Sequence, residues 1–327
     1  MKRFFLAGHK KNQELLTGIL HQRALPEAFL FYGPEKLSQL TLAKMFSLSL
    51  ILGVPHLAEH EIDHPDLKIL TLDETSKFHS IAKIKEFIED MYLPPYQGKK
   101  KVFLIDEAHK MQPAASNALL KTLEEPALAS VMILLAPSLA QVLPTISSRC
   151  CKMNFSPLSL EEISEDLIQN HGLDLSQAKD LAYDSLGSLE YAYMLLKKPG
   201  AQWKNVFFDL LSNPMISYED QMHKIAELEK ILESEGAVGI EYFFDFILKL
   251  FRDIALLQEG LDVLVYFQNQ IKTLKTLSVY CLGGLDYFSK IIEEMMSGYF
   301  ANVKLKSCLE IFFLRIYQQN AGLKAFV

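Results

Sequence analysis

KVFLIDEAHKMQPAASNALLKTLEEP, residues 101–126, reads as a buried strand, two carboxylates at its end, and a helix. The apolar run at 102–105 stops at Asp106 and Glu107, so the strand delivers both acids to the carboxyl edge of a sheet. Open α/β sheets place their ligands at that edge. In a phosphate-loop nucleotidase such an Asp holds Mg2+ directly or through water, and a following Glu orients the attacking water. The same pair equally describes an ordinary strand end with two solvated acids, because an apolar run followed by Asp-Glu is common.

The nucleotide reading depends on a second strand-turn-helix upstream. Residues 28–32, AFLFY, have the continuous apolar character of a central parallel strand, Gly33 and Pro34 turn the chain, and an apolar-periodic helix is expected from about residue 39. That is the framework of a phosphate-binding loop. The working pattern is Gly-x-x-x-x-Gly-Lys-Ser/Thr: glycines let backbone N–H groups close on phosphate, the lysine neutralises the terminal phosphates, and the hydroxyl ligates Mg2+. Counted from Gly33, those positions hold Ser38, Gln39 and Leu40. All three chemical groups are replaced. Lys36 and Thr41 stand nearby but out of register, so the sequence argues against ATP hydrolysis at this loop.

At 327 residues the chain exceeds what one core usually organises, and half of it is hydrophobic, which is ample for two or three domains. The formal charge of -7 argues against a broadly basic nucleic-acid surface, so any DNA contact is expected to be local or shared with partners. Cys150, Cys151, Cys281 and Cys308 form neither a Cys-x-x-Cys pair nor a disulfide framework, a usage that suits the reducing cytoplasm. The short apolar run in MKRFFLAGHKK gives no export signal, and the most apolar helical stretch, near 242–257, is broken by Asp245, Lys249, Arg252 and Asp253. No membrane span is expected.

His56, His60 and His64 recur at four-residue steps and on a continuous helix would share one face, a spacing that can hold a metal. Pro55 and Pro65 bound the segment and Glu59 and Glu61 can pair with the imidazoles, so the plainer reading is an ordinary polar loop. Strands are expected at 67–72 and 131–135, with a helix at 79–91 between the first and the 101–126 segment. A short helix beginning at Leu143 and Pro144 leads into Ser148-Arg149-Cys150. Arg149 reads either as a surface ion pair, as most arginines do, or as a finger offered to a neighbouring subunit's ATP, because its delocalised fork suits charge developing on a phosphoryl group. Beyond residue 157 the alternation of strands and helices ends. Short helices are expected at 160–170, 176–186 and 188–196, KKPG at 197–200 is the best linker, and the remainder is helical. Phe243, Ile247, Leu250, Ile254 and Leu257 form its clearest stripe, Phe288, Ile292, Met295 and Tyr299 a second, and the 309–316 segment is apolar nearly all round, as for a helix buried on several sides.

Taken in order, Gly8-His9, AFLFYGP at 28–34, HPDL at 64–67, the DEAH at 106–109, NALLKTLEEP at 117–126, LPTISSRC at 143–150 and GSLEYA at 187–192 make the chain resemble the clamp-loader subunits of bacterial DNA polymerase III, an AAA+ family. The resemblance covers roughly the first two hundred residues. It implies an α/β AAA+ domain with a parallel sheet at 1–157, a small helical lid at 158–198 and an all-helical collar at 199–327 through which subunits assemble. It also makes Arg149 a finger acting in trans.

The departures from the pattern are informative. The loop lacks its lysine and hydroxyl, and Glu190 stands where ATPase members carry a lid arginine that senses nucleotide, an acid that would repel a triphosphate. Cations aimed at the chain's own nucleotide are lost while the one aimed outward is kept. The resemblance therefore runs to the non-hydrolysing delta-prime type rather than to the ATPase gamma or tau type. It implies no required cofactor, ATP held by partner subunits of gamma or tau type, a delta-type neighbour, and contact with the sliding clamp and primed DNA through the complex. The four-cysteine zinc module that loader subunits often carry before the HPD position is absent, with the three histidines in its approximate place. Two other readings stay open: a self-sufficient AAA+ ATPase using Asp106 and Glu107, and a DNA-binding AAA+ module outside replication.

Overall fold

A computed structural model describes residues 8–22, 24–54, 64–72, 78–125, 129–197, 202–213, 217–281 and 283–324. The chain divides into two compact units, Met1–Ala192 and Tyr193–Val327. The boundary expected at 157/158 falls inside the first unit, and the one expected at 198/199 lies outside the described residues.

The first unit is built on five strands: β1 (Ala28–Tyr32), β2 (Leu67–Leu70), β3 (Lys101–Ile105), β4 (Ser130–Ala136) and β5 (Cys151–Asn154). They pair in the order β2-β3-β4-β1-β5, and every pairing is parallel. A parallel sheet is covered on both faces by its crossover helices, which explains the unbroken apolar runs of β1, β3 and β4. Alternate strand residues separate into two cores. Phe29, Phe31, Val102, Leu104, Ile133 and Met153 pack with Leu16 and Ile19 of α1 (Lys10–Leu20) and with Leu42, Phe46 and Ile51 of α2 (Lys36–Leu52). On the other face Leu30, Phe103, Ile105, Met132 and Leu134 pack with Ile84 and Met91 of α3 (Ile81–Met91) and with Ala115 and Leu119 of α4 (Pro113–Glu124).

α5 (Pro144–Ser147) is a single turn that begins on proline, whose missing N–H costs nothing at that position. Three further helices follow the sheet: α6 (Leu160–His171), α7 (Leu175–Asp184) and α8 (Leu189–Lys197), whose residues from Tyr193 on are counted with the second unit. A complete capping box fixes the start of α6, with Ser159 and Glu162 satisfying each other's backbone N–H groups.

The second unit is helical: α9 (Gln202–Ser212), α10 (Tyr218–Gln258), α11 (Ile271–Tyr280), α12 (Leu285–Phe300) and α13 (Leu305–Lys324). α10 is interrupted at Gly236, where φ is 76°. Trp203 is wholly buried with its ring 5.0 Å from Phe243 and 5.2 Å from Phe246. Phe243, Ile247, Leu250 and Ile254 of the expected stripe are buried as the periodicity implies, while Leu257, its last member, is only half-buried. The all-round burial expected of 309–316 does not hold: Leu309, Phe312, Phe313 and Ile316 are buried, but Ile311 is 52% and Leu314 54% exposed. Three and four residues separate the buried positions, so α13 has one core face and these two lie off it. No described helix is long and apolar enough to cross a membrane.

Candidate functional site

Gly33 sits at the carboxyl edge of the sheet, directly after β1, with φ at 142°. A Cβ there would come 2.0 Å from the carbonyl oxygen of Phe155, so the position accepts only glycine. Its carbonyl oxygen accepts a hydrogen bond from Gln39 Nε2 at 2.6 Å. Gln39, which replaces the loop lysine, is buried and faces inward to hold the turn. Ser38 is fully buried, and Leu40 packs against the α1–α2 core. None of the three offers a cation or a metal ligand to solvent.

The residue that decides the chemistry is one the motif count does not single out. Glu35 caps α2, its Oε1 accepting hydrogen bonds from the Ser38 N–H and the Ser38 hydroxyl, each at 3.3 Å. Its Oε2 accepts from the N–H of Leu189, the first residue of α8, at 3.2 Å. The N–H groups at a helix start are where such a fold receives phosphate. Here an internal acid, 1% exposed, receives one such N–H from each helix, that of Ser38 and that of Leu189, while the Lys36 N–H donates to Pro34 O. Burial pushes the Glu35 carboxyl up to about 7, against the opposing effect of donors from Ser38, Leu189 and Ser188. An acid at the N-cap, directly after the Gly-Pro turn, was the available sequence signal.

Asp106 and Glu107 leave the carboxyl end of β3 as the apolar run predicts. Asp106 is drawn into local structure: its N–H donates to Leu70 O at 3.0 Å, its Oδ1 accepts from the Glu107 N–H at 2.8 Å, and His79 Nε2 lies 2.7 Å from its carbonyl oxygen. Burial raises its carboxyl pKa and the Glu107 charge adds to that, while Lys36 and His79 act the other way. Glu107 adopts φ 48° and pairs with Lys110 at 2.6 Å. His109 is desolvated to a pKa of about 4, so its imidazole is neutral at physiological pH. Glu190 lies in the first turn of α8, next to the Leu189 N–H that Glu35 holds.

Of the three histidines, His64 uses Nδ1 to accept from the Asp66 N–H at 3.1 Å, whereas His56 and His60 lie outside the described residues. Among the described residues no His, Cys, Asp and Glu group has metal-holding geometry. Asp66 of the HPDL segment is a structural anchor: its carboxylate accepts from the N–H groups of Tyr96, Gln97 and Gly98 at 2.5, 2.8 and 2.6 Å. Burial pushes its carboxyl up, but the three backbone donors hold its pKa below the ordinary value.

Arg149 occupies the opposite edge of the sheet. It lies two residues before Cys151, the first residue of β5, which pairs with Phe29 near the start of β1. It also borders a small cavity of about 160 Å³ with Pro26, Glu27 and Ala28, the residues leading into β1. Gly33 lies level with Phe155, and the four strand steps from Cys151 to Phe155 span about 13 Å. The guanidinium is 36% exposed, donates to Glu124 Oε1 at 2.5 Å and to Thr145 O at 2.9 Å, and so stands on α4 and α5 away from its own loop. Cys150 beside it is buried, its thiol pushed up to about 12 by desolvation, which leaves it an inert packing residue.

Residues 8–159 match the family model described as DNA polymerase III, delta subunit. The chain is 30% identical over 155 residues to DNA polymerase III subunit delta' of Pseudomonas aeruginosa, covering 43% of this chain and 47% of that protein. It is 32% identical over 162 residues to subunit tau/gamma of Haemophilus influenzae, covering 46% of this chain and 23% of that one. The match thus spans about half, or less, of the length of these relatives. A solved gamma subunit-related protein of Thermotoga maritima is 18% identical, with 94% of this chain and 99% of that chain covered at a TM-score of 0.44.

Proposed function

On the premise that residues 8–159 belong with the AAA+ clamp-loader subunits of bacterial DNA polymerase III, we propose that this chain is a non-hydrolysing, delta-prime-type subunit that supplies Arg149 to ATP bound by an adjacent subunit. The observation that carries the reading is the opposition of its two edges. At the carboxyl edge Glu35 caps the helix that follows the glycine turn, and the lysine position holds an inward-facing glutamine. At the amino edge a partly exposed guanidinium is held outward on α4 and α5.

A planar, permanently charged fork can contact two phosphoryl oxygens at once, and the charge it neutralises grows as the terminal phosphoryl group leaves. Glu124 and the Thr145 carbonyl hold the Arg149 guanidinium in the meantime. An exposed pair of this kind is worth roughly 0–1 kcal/mol, so a triphosphate displaces the carboxylate at small cost. In this reading the chain needs no cofactor of its own, ATP resides on gamma- or tau-type partners, a delta-type subunit completes the loader, and the sliding clamp and primed DNA are met through the complex. The chain would work in the cytoplasm.

The competing reading, a self-sufficient ATPase, draws on Asp106 and Glu107 at the carboxyl edge. Purified chain incubated with ATP and Mg2+ tests both. The proposal predicts no turnover above a protein-free control; turnover abolished by Asp106→Asn would instead establish the ATPase.

A further inference from the structure

We propose that Glu35 is a resident ligand for the phosphate position of this fold and that its carboxyl group latches the start of α2 to the start of α8, fixing the sheet and these helices in one arrangement without nucleotide. The inference goes beyond the trans role of Arg149 and holds whether or not that role is correct.

Three features converge on it. The first is the receptor: a glycine turn followed by the 17-residue helix α2, whose first N–H groups have no intrahelical acceptor and whose dipole favours negative charge. A second helix start, that of the nine-residue α8, points its Leu189 N–H at the same group from 154 residues away in sequence. The second feature is the ligand. One carboxyl group divides its oxygens between the two helices, Oε1 to Ser38 and Oε2 to Leu189, and 1% exposure leaves no room for solvent to compete. The third is rigidity of the frame. Gln39 holds the Gly33 carbonyl, and the backbone of Phe155 closes against Gly33. Pro157 and the Leu158 carbonyl pack against Gly187, just ahead of α8, and the Leu158 N–H donates to Gly187 O at 2.8 Å.

An acid in a buried site is costly unless its hydrogen bonds are made, and these bonds tie the start of α2 directly to the start of α8, in addition to the Leu158–Gly187 contact. The arrangement therefore removes the dependence on nucleotide: what a bound phosphate would do reversibly, Glu35 does permanently.

Amide hydrogen exchange on the full chain tests the latch. In the wild-type protein, peptides spanning 36–40 and 187–191 should be protected, and addition of ATP and Mg2+ should leave that protection unchanged. In Glu35→Ala both segments should lose protection together, by at least tenfold, while peptides from β3 and β4 keep theirs. Glu35→Gln preserves the volume and one acceptor oxygen, so at least one of the two segments should open even if the alanine variant folds poorly. Wild-type protection at both segments in the glutamine variant would overturn the proposal. So would wild-type protection that rises at both segments when ATP is added, because the site would then be open to nucleotide.

Discussion

Replacing Glu35 by glutamine should change how stability depends on pH, by an amount the structure specifies. The carboxyl titrates near 4.5 in an unfolded chain and about 7 in the folded one, the increase coming first from burial and being opposed by donors from Ser38, Leu189 and Ser188. A folded-state pKa above the unfolded one means the native state binds more protons between those values, so this acid's contribution is most favourable below pH 4.5 and is lost as pH rises toward 7. The difference of about 2.5 units corresponds to about 3 kcal/mol at about 1.36 kcal/mol per unit. Glutamine cannot ionise, so wild type should weaken relative to Glu35→Gln by about 3 kcal/mol between pH 4.5 and pH 8. Urea titrations at several pH values, read by exchange protection in β1 and β4, follow the first unit without averaging over the second. Subtracting the variant from the wild type cancels Asp106, His109 and every other titrating group not coupled to residue 35. A flat difference, or one in which wild type gains on the variant as pH rises, would refute the reasoning.

Two other substitutions have magnitudes set by the frame around the site. Gly33→Ala forces a side chain into φ 142° and against the Phe155 carbonyl, so thermal denaturation should show a loss of about 2 kcal/mol or more. Asp66→Ala leaves three backbone N–H groups around residues 96–98 without their acceptor and should cost about 2–4 kcal/mol in denaturant titration, with Asp66→Asn recovering part of it.

Much of the first unit was legible because its strands are buried on both faces and therefore announce themselves as unbroken apolar runs ahead of sharp turns. β5 was not, since CKMN at the sheet edge buries only Met153 fully and leaves Lys152 and Asn154 exposed. α2 begins at Lys36, three residues earlier than its apolar periodicity suggests, because Glu35 supplies the cap and the periodicity registers only where the core begins. The missing lysine and hydroxyl were readable by counting from Gly33. What fills their place was not, because it depends on Leu189, which local pattern cannot bring beside Glu35. Pairing of Arg149 with Glu124 was hidden for the same reason, although both lie within motifs that carry the resemblance. In the second unit helical spacing identified the core stripes but not which apolar residues of α13 stay uncovered, since Ile311 and Leu314 lie between buried positions in the same run.

The proposed role places the chain's chemistry on the edge of the sheet that faces away from its own loop, and that is where the account is most exposed to test. The direct measurement is single-turnover ATP hydrolysis by a loader reconstituted from ATPase subunits and this chain, with Arg149→Ala compared with wild type under saturating clamp and primed DNA. The account predicts that the variant assembles normally, with the same melting behaviour to within about 1 kcal/mol because the Glu124 pair is exposed. Hydrolysis at the adjoining site should fall by about a thousandfold, the scale of a lost arginine finger. A complex that assembles and hydrolyses ATP at the wild-type rate would contradict it.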